Sequence, residues 1–157
     1  EIDYKGFIFF GLINVNNDPY MIEYNVRLGD PEAEAILPRI KSDFVDLLEG
    51  AATGTLKDKS IETYNLTSAT VILVSGGYPD NYEKGKIITG LENVSESVVF
   101  HSGTKMIDNR LVTNGGRVLA VNSLGKGMKE ALKLSYQNAE VINFDNKYYR
   151  KDLGFDL

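Results

Sequence analysis

Cysteine is absent from the 157 residues, and histidine occurs once, at His101. The first absence removes disulfides, thiolate metal sites and thiol nucleophiles together, and suits a reducing compartment. The second removes any multi-histidine zinc centre, so metal chemistry has to run through oxygen ligands of the kind magnesium takes. No apolar run approaches the roughly 18 residues that a membrane span needs. The chain opens on Glu1 with no signal-peptide pattern, and reads as a piece of something longer. A surplus of basic charge is missing as well. The 17 basic and 22 acidic residues are scattered to a net charge of -5, which leaves no basic stripe for nucleic-acid phosphates. Neither a membrane nor a nucleic acid is an expected partner.

What is present is the composition of a globular protein, 43% hydrophobic and 25% charged. The length suits one domain or parts of two. Residues 6–15 are apolar on both faces, as in a strand covered on both sides. Turn formers follow at Asn16-Asn17-Asp18-Pro19, and a second strand from Tyr20 completes a hairpin. After Leu28-Gly29, the run Asp30-Pro31-Glu32 predicts a helix start, with Asp30 as N-cap and Pro31 in the first turn. Apolar residues then recur at helical spacing from Ile36 to Leu48, interrupted by Pro38, which should kink or divide the helix. The expected boundary falls here, with units over 1–54 and 55–157. The second unit reads as a small α+β assembly. Its expected strands are 70–74, 86–88, 97–101, 105–107, 117–122 and 141–144, and its helix spans about 127–140. Asp108-Asn109 punctuates one hairpin.

The second strand carries the clearest chemical pattern. Ile22, Tyr24 and Val26 alternate with Glu23, Asn25 and Arg27, so an acid, an amide and a cation share one face at roughly 6.5 Å steps. Glu23 and Asn25 can offer oxygen donors to a hard cation, and Arg27 can hold a phosphate or carboxylate in bidentate fashion. A solvated sheet surface explains the same spacing. Position adds weight to the first reading, because a helix N-terminus able to receive an anion follows at once. Asp30 is read as a cap rather than a catalyst. Elsewhere, Gly76-Gly77-Tyr78-Pro79 serves either a phosphate cradle or, more simply, a tight turn. Gly115-Gly116-Arg117 at a strand mouth leaves room for an arginine to reach an anion, with a surface salt bridge as the plain alternative. His101 and Lys105 are further substrate-side candidates, and both have ordinary structural readings.

The blocks "IEYNVRLGDPEAEAILPRIKSDFVDLL", "SGGYPDNYEKGKIITGL", "VFHSGTK", "LVTNGGRVLAVNSLGKGMKEALKLSY" and "YYRKDLG" occur in this order along the whole chain. Together they resemble the phosphoribosylamine–glycine ligase (glycinamide ribonucleotide synthetase) family of ATP-grasp enzymes. The resemblance implies an α+β fold: the C-terminal part of an ATP-grasp domain, antiparallel strands plus helix, followed by a small α+β C-terminal domain. It implies a cytoplasmic ligase of purine biosynthesis that joins glycine to 5-phosphoribosylamine through glycyl phosphate, with ATP cleaved to ADP and phosphate. It also implies Mg2+, with Mn2+ as an alternative, held by Glu23 and Asn25. Arg27 is the candidate catalytic residue, and Arg117, Gly115, Gly116, Lys105 and His101 are candidates for substrate contact. The family's N-terminal part and its ATP-clamping residues would lie upstream of Glu1, so the isolated chain is expected to be inert. Another ATP-grasp ligase, or a non-catalytic nucleotide-binding or docking module, stands as the alternative.

Overall fold

In the computed structural model, residues 2–155 are described, and they divide into two compact units that meet between Tyr64 and Asn65. The division falls ten residues beyond the expected one at 54. The reason is that 55–64 returns to the first unit: Ile40 bridges Thr63, the Tyr64 N–H donates to the Arg39 carbonyl at 2.8 Å, and Lys41 pairs with Glu62 at 3.1 Å.

The first unit opens with a hairpin of β1 (Phe9–Val15) and β2 (Asp18–Asn25). Its two-residue turn, Asn16-Asn17, has φ of 54° and 69°. Both central residues of a type I′ turn require such angles, and asparagine tolerates them better than most residues. Pro19 lies inside β2, opposite Asn14, rather than in the turn. Beyond the hairpin the expected long helix is divided. α1 (Glu32–Ile36) gives way to a 3-10 turn at Leu37–Arg39 that contains Pro38, Ile40 is extended, and α2 (Phe44–Thr53) starts afresh. Asp43 caps α2 by accepting from the N–H groups of Val45 at 2.9 Å and Asp46 at 3.2 Å. Asp30 does not cap α1. Pro31 holds that position without a side-chain bond, and the Gly29 carbonyl accepts from the Ala33 N–H at 3.1 Å. At five residues α1 is also too short to act as an anion site.

Among the described residues nothing covers the apolar hairpin on both sides. Phe10, Leu12, Ile13, Tyr20, Met21, Ile22 and Tyr24 are all at least half exposed. Cover is instead found beside α2, where Phe7, Ile40, Phe44, Leu47, Leu48, Leu56 and Ile61 surround an apolar cavity of about 510 Å³.

The second unit is built on a three-stranded antiparallel sheet in the order β3 (Thr67–Val74), β7 (Arg117–Gly125), β4 (Ser97–His101). A separate hairpin pairs β5 (Thr104–Ile107) with β6 (Arg110–Thr113) through Asp108-Asn109, both at positive φ. α3 (Met128–Val141) packs on β3 and β7. Val71, Leu73, Val118, Leu119, Val121, Ala139 and Ile142 form a core in which every member is fully buried. The central strand is paired on both edges, packs against α3, and is buried throughout residues 118–123. Several polar groups inside are paired: Ser135 lies 2.8 Å from the Ala69 carbonyl, and Asn138 accepts from the Ser95 N–H at 3.0 Å while donating to the Ser95 carbonyl, whereas the buried Asn122 Oδ1 has no partner. The strands expected at 86–88 and 141–144 reduce to single bridges, Ile87 to Val112 and Thr89 to Asn143, since α3 runs on to Val141. Among the described residues no helix is long and apolar enough to cross a membrane.

Candidate functional site

The register of the first hairpin decides which side chains meet. Phe9 stands opposite Asn25 and Gly11 opposite Glu23, after which the pairing slips, so that Leu12 faces Met21 and Ile22 is the extra residue of a β-bulge. Directly opposed residues point to the same side of a sheet. Phe9, Gly11, Glu23 and Asn25 therefore share one face. β2 ends at Asn25, so Arg27 is not on the strand as expected but in the bend beyond it. The Tyr4 hydroxyl sits 2.8 Å from the carbonyl of Val26 in that bend, and an Arg27 guanidinium N–H donates to the Leu28 carbonyl at 2.8 Å.

These residues come together. Phe9, Glu23, Asn25, Arg27, Gly29, Asp30, Pro31 and Glu32 line one open cleft of about 250 Å³. Glu23 and Arg27 are exposed and Asn25 is half-buried, so the strand presents an acid, an amide and a cation to incoming solute. Sequence reasoning missed Glu32 and Phe9 and gave Asp30 only a capping role. The break at Leu28-Gly29 turns the chain back toward the strand face, and that return is invisible to periodicity. Three carboxylates (Glu23, Asp30, Glu32) against one guanidinium give the cleft a formal charge of -2, which suits a divalent cation.

The donor set fits magnesium or manganese. All the candidate donors are oxygens, with no thiolate and no imidazole. Among the described residues no three acidic or histidine side chains stand close enough together to enclose a metal. A cation here would be held by one or two protein oxygens, with water and phosphate completing its shell, which is how magnesium is usually bound.

The substrate-side candidates sit in the second unit, at the end of the sheet where β4 finishes and β7 begins. His101 pairs with Leu119, and its Nδ1 lies 3.1 Å from Thr104 Oγ1. Lys105 is exposed on β5 opposite Val112. Arg117 opens β7, half-buried, and its carbonyl accepts from the Gly103 N–H at 2.9 Å. The glycines have a packing reason. A Cβ on Gly115 would lie 2.9 Å from Gly103 Cα, and one on Gly116 would meet the Tyr78 ring at 2.1 Å. The Gly76-Gly77-Tyr78 segment makes a tight turn, with Gly77 at φ 94° and the Tyr78 N–H donating to the Ser75 carbonyl at 3.1 Å. Two clefts on this unit are lined by Gly76, Gly77, Tyr78, Asn146, Lys147 and Tyr148, and by Lys147, Tyr148, Tyr149, Lys151 and Asp152, with His101, Lys105 and Arg117 on neither. The Lys147 ammonium caps α3 through the carbonyls of Ala139 (2.9 Å), Glu140 (3.3 Å) and Ile142. Burial holds its pKa below the ordinary lysine value.

Comparison with known proteins gives a consistent picture. Residues 68–156 match the family model "Phosphoribosylglycinamide synthetase, C domain". The chain is 41% identical over 158 residues to the phosphoribosylamine–glycine ligase of Fusobacterium nucleatum, covering 98% of this chain and 37% of that protein. It is 44% identical over 154 residues to the ligase of the same name from Clostridium acetobutylicum, with the same coverage. The crystal structure of phosphoribosylamine–glycine ligase from Thermotoga maritima superposes with a TM-score of 0.82 at 40% identity, over 92% of this chain and 36% of that one. A urea amidolyase from K. lactis shares the fold at 16% identity and a TM-score of 0.56, over 84% of this chain and 8% of that one. The chain thus spans little more than a third of the length of the ligases it matches, in their C-terminal portion. It belongs to the family of the phosphoribosylglycinamide synthetase C domain.

Proposed function

We propose that this chain is the C-terminal part of an ATP-dependent ligase that joins glycine to 5-phosphoribosylamine, and that its polar cleft is where Mg2+ or Mn2+ and nucleotide phosphate are held. The observation that carries the reading is the meeting of Glu23, Asn25 and Arg27 in one cleft. When bound, the cation neutralises charge that builds on phosphate oxygens during phosphoryl transfer. Glu23 and Asn25 would hold it, from a strand whose hairpin pairing fixes their backbone. Arg27, set in the bend, is placed to orient a phosphate or carboxylate by paired N–H bonds. A carboxylate phosphorylated in this way, glycyl phosphate, is then attacked by the amine of the second substrate. No group of this chain has to supply a proton-abstracting histidine for that attack.

The test uses the chain joined to the upstream part of its own protein. Replacing Glu23 by Gln keeps size and removes one charge. ADP formation dependent on glycine and phosphoribosylamine should fall by about 100-fold or more, with the circular dichroism spectrum unchanged. Retention of near-normal turnover would refute the assignment and favour a docking module, for which Glu23 is dispensable. The isolated 157 residues are expected to show no turnover in the same assay.

A further inference from the structure

Gly11 is the one glycine of β1, and it faces Glu23 directly. Its backbone does not need a glycine, because Gly11 is not among the residues at positive φ, even though it borders the bulge. A bulge of the kind that demands glycine places it in the left-handed region, so the reason for the small residue is space. A Cβ built on Gly11 would lie 3.1 Å from Glu23 Cγ, 3.5 Å from Phe9 Cε1 and 3.6 Å from the Glu23 carbonyl oxygen. The Glu23 side chain therefore leans across the partner strand into room that any other residue would fill. Phe9 closes the far side of that room, and it is itself part of the cleft. The bulge at Ile22 interrupts the regular pairing just before Glu23, while plain alternation keeps Glu23 and Asn25 on one face.

We infer that Gly11 is a positioning residue: by leaving its face of β1 bare, it lets Glu23 lie over the strand with its carboxylate in the cleft beside Asn25 and Arg27. The functional half of this inference rests on the proposed cation site, and the geometric half does not. Cation sites tolerate only a few tenths of an ångström in ligand placement, and losing the groups that orient a ligand typically costs 10- to 100-fold in affinity. A methyl group at position 11 would stand 3.1 Å from Glu23 Cγ and 3.5 Å from Phe9, so the Glu23 side chain, hemmed in on both sides, leaves its rotamer rather than merely shifting.

The experiment compares the chain joined to the upstream part of its own protein with its Gly11→Ala, Gly11→Val and Glu23→Gln variants by NMR. Three things are read: the Glu23 side-chain rotamer from coupling constants, the cross-strand contacts of Phe9 with Asn25 and of Phe10 with Tyr24, and the Mn2+ concentration that broadens the Glu23 and Asn25 signals. Gly11→Ala is expected to keep the cross-strand contacts, change the Glu23 rotamer and raise the required Mn2+ concentration about 10-fold. Gly11→Val should do more. If Gly11→Val also loses the hairpin contacts, the alanine variant alone decides. An unchanged rotamer in Gly11→Ala would overturn the positioning role. A changed rotamer with Mn2+ broadening within twofold of the unmodified chain would overturn its functional half. Failure of Mn2+ to broaden Glu23 in the unmodified chain, or broadening unaffected by Glu23→Gln, would refute the cation site itself, while the rotamer data still judge Gly11.

Discussion

Gly103→Ala isolates the packing that joins the end of β4 to the start of β7. A Cβ at position 103 would lie 2.5 Å from the Arg117 carbonyl oxygen, 2.6 Å from Gly115 Cα and 2.8 Å from the Gly115 nitrogen. All three are backbone atoms, so no rotamer change relieves the clash. The chain has to separate there, and two hydrogen bonds go with it: Gly103 N–H to the Arg117 carbonyl at 2.9 Å and Asn114 N–H to the Gly103 carbonyl at 2.7 Å. Two such bonds are worth about 2 kcal/mol net, and overpacking adds about 1–3 kcal/mol. The expected loss is therefore roughly 3–5 kcal/mol, which for a unit of this size lowers Tm by roughly 15 °C or more. Thermal and urea denaturation followed by circular dichroism measures it. Gly127→Ala is the comparison: nothing stands within 4 Å of its Cβ, so only the change of N-cap on α3, about 1 kcal/mol or less, should register. A Gly103→Ala loss below about 1 kcal/mol would contradict this packing, and would leave Gly115 open again as a residue kept bare for a ligand.

Three further outcomes are expected. Leu119→Ala, at a fully buried position of the central strand, should destabilise the second unit by about 3–4 kcal/mol in urea titrations. Asp43→Ala removes the side chain that accepts from Val45 and Asp46, and should cost about 1 kcal/mol, read from protection of the α2 amides in hydrogen exchange. Lys86 donates to Glu83 at 2.6 Å and to Asp145 at 3.1 Å, which raises its pKa above the usual 10.5. A raised lysine pKa adds stability that is fully present below the unfolded value and is lost as pH climbs through the folded one. The urea-midpoint gap between the unmodified chain and Lys86→Gln should thus hold constant from pH 7 to about pH 9.5 and close above the ordinary lysine range; a gap that widens there would contradict it.

Much of the architecture was legible in the sequence because it follows from local chemistry. Asn16-Asn17 and Asp108-Asn109 are turns since asparagine and aspartate accept left-handed angles, and Pro38 divides the helical run because its ring cannot continue one. The α3 pattern needed only its period. The strand face of Glu23 and Asn25 was legible for the same reason, since alternation within β2 requires no partner. What failed depended on pairing. Residues 86–88 and 141–144 have strand composition, but 86–88 joins β6 by a single bridge, Ile87 to Val112, and α3 runs on through Val141, which leaves Asn143 to bridge Thr89. Arg27, Asp30 and Glu32 reach the cleft through a bend, not through a repeat, so no spacing announced it. The apolar faces of β1 and β2 imply cover that these residues do not supply. Gly115 and Gly116 looked like room for a ligand, yet Gly103 and Tyr78 occupy that room.

The role of the cleft is tested most directly by the anomalous scattering of Mn2+ in crystals of the full-length protein grown with ATP. A peak is expected at about 2.1–2.3 Å from the Glu23 carboxylate and the Asn25 side-chain oxygen, with phosphate oxygens on its other side. Peaks ligated elsewhere, with both side chains turned to bulk water, would contradict it.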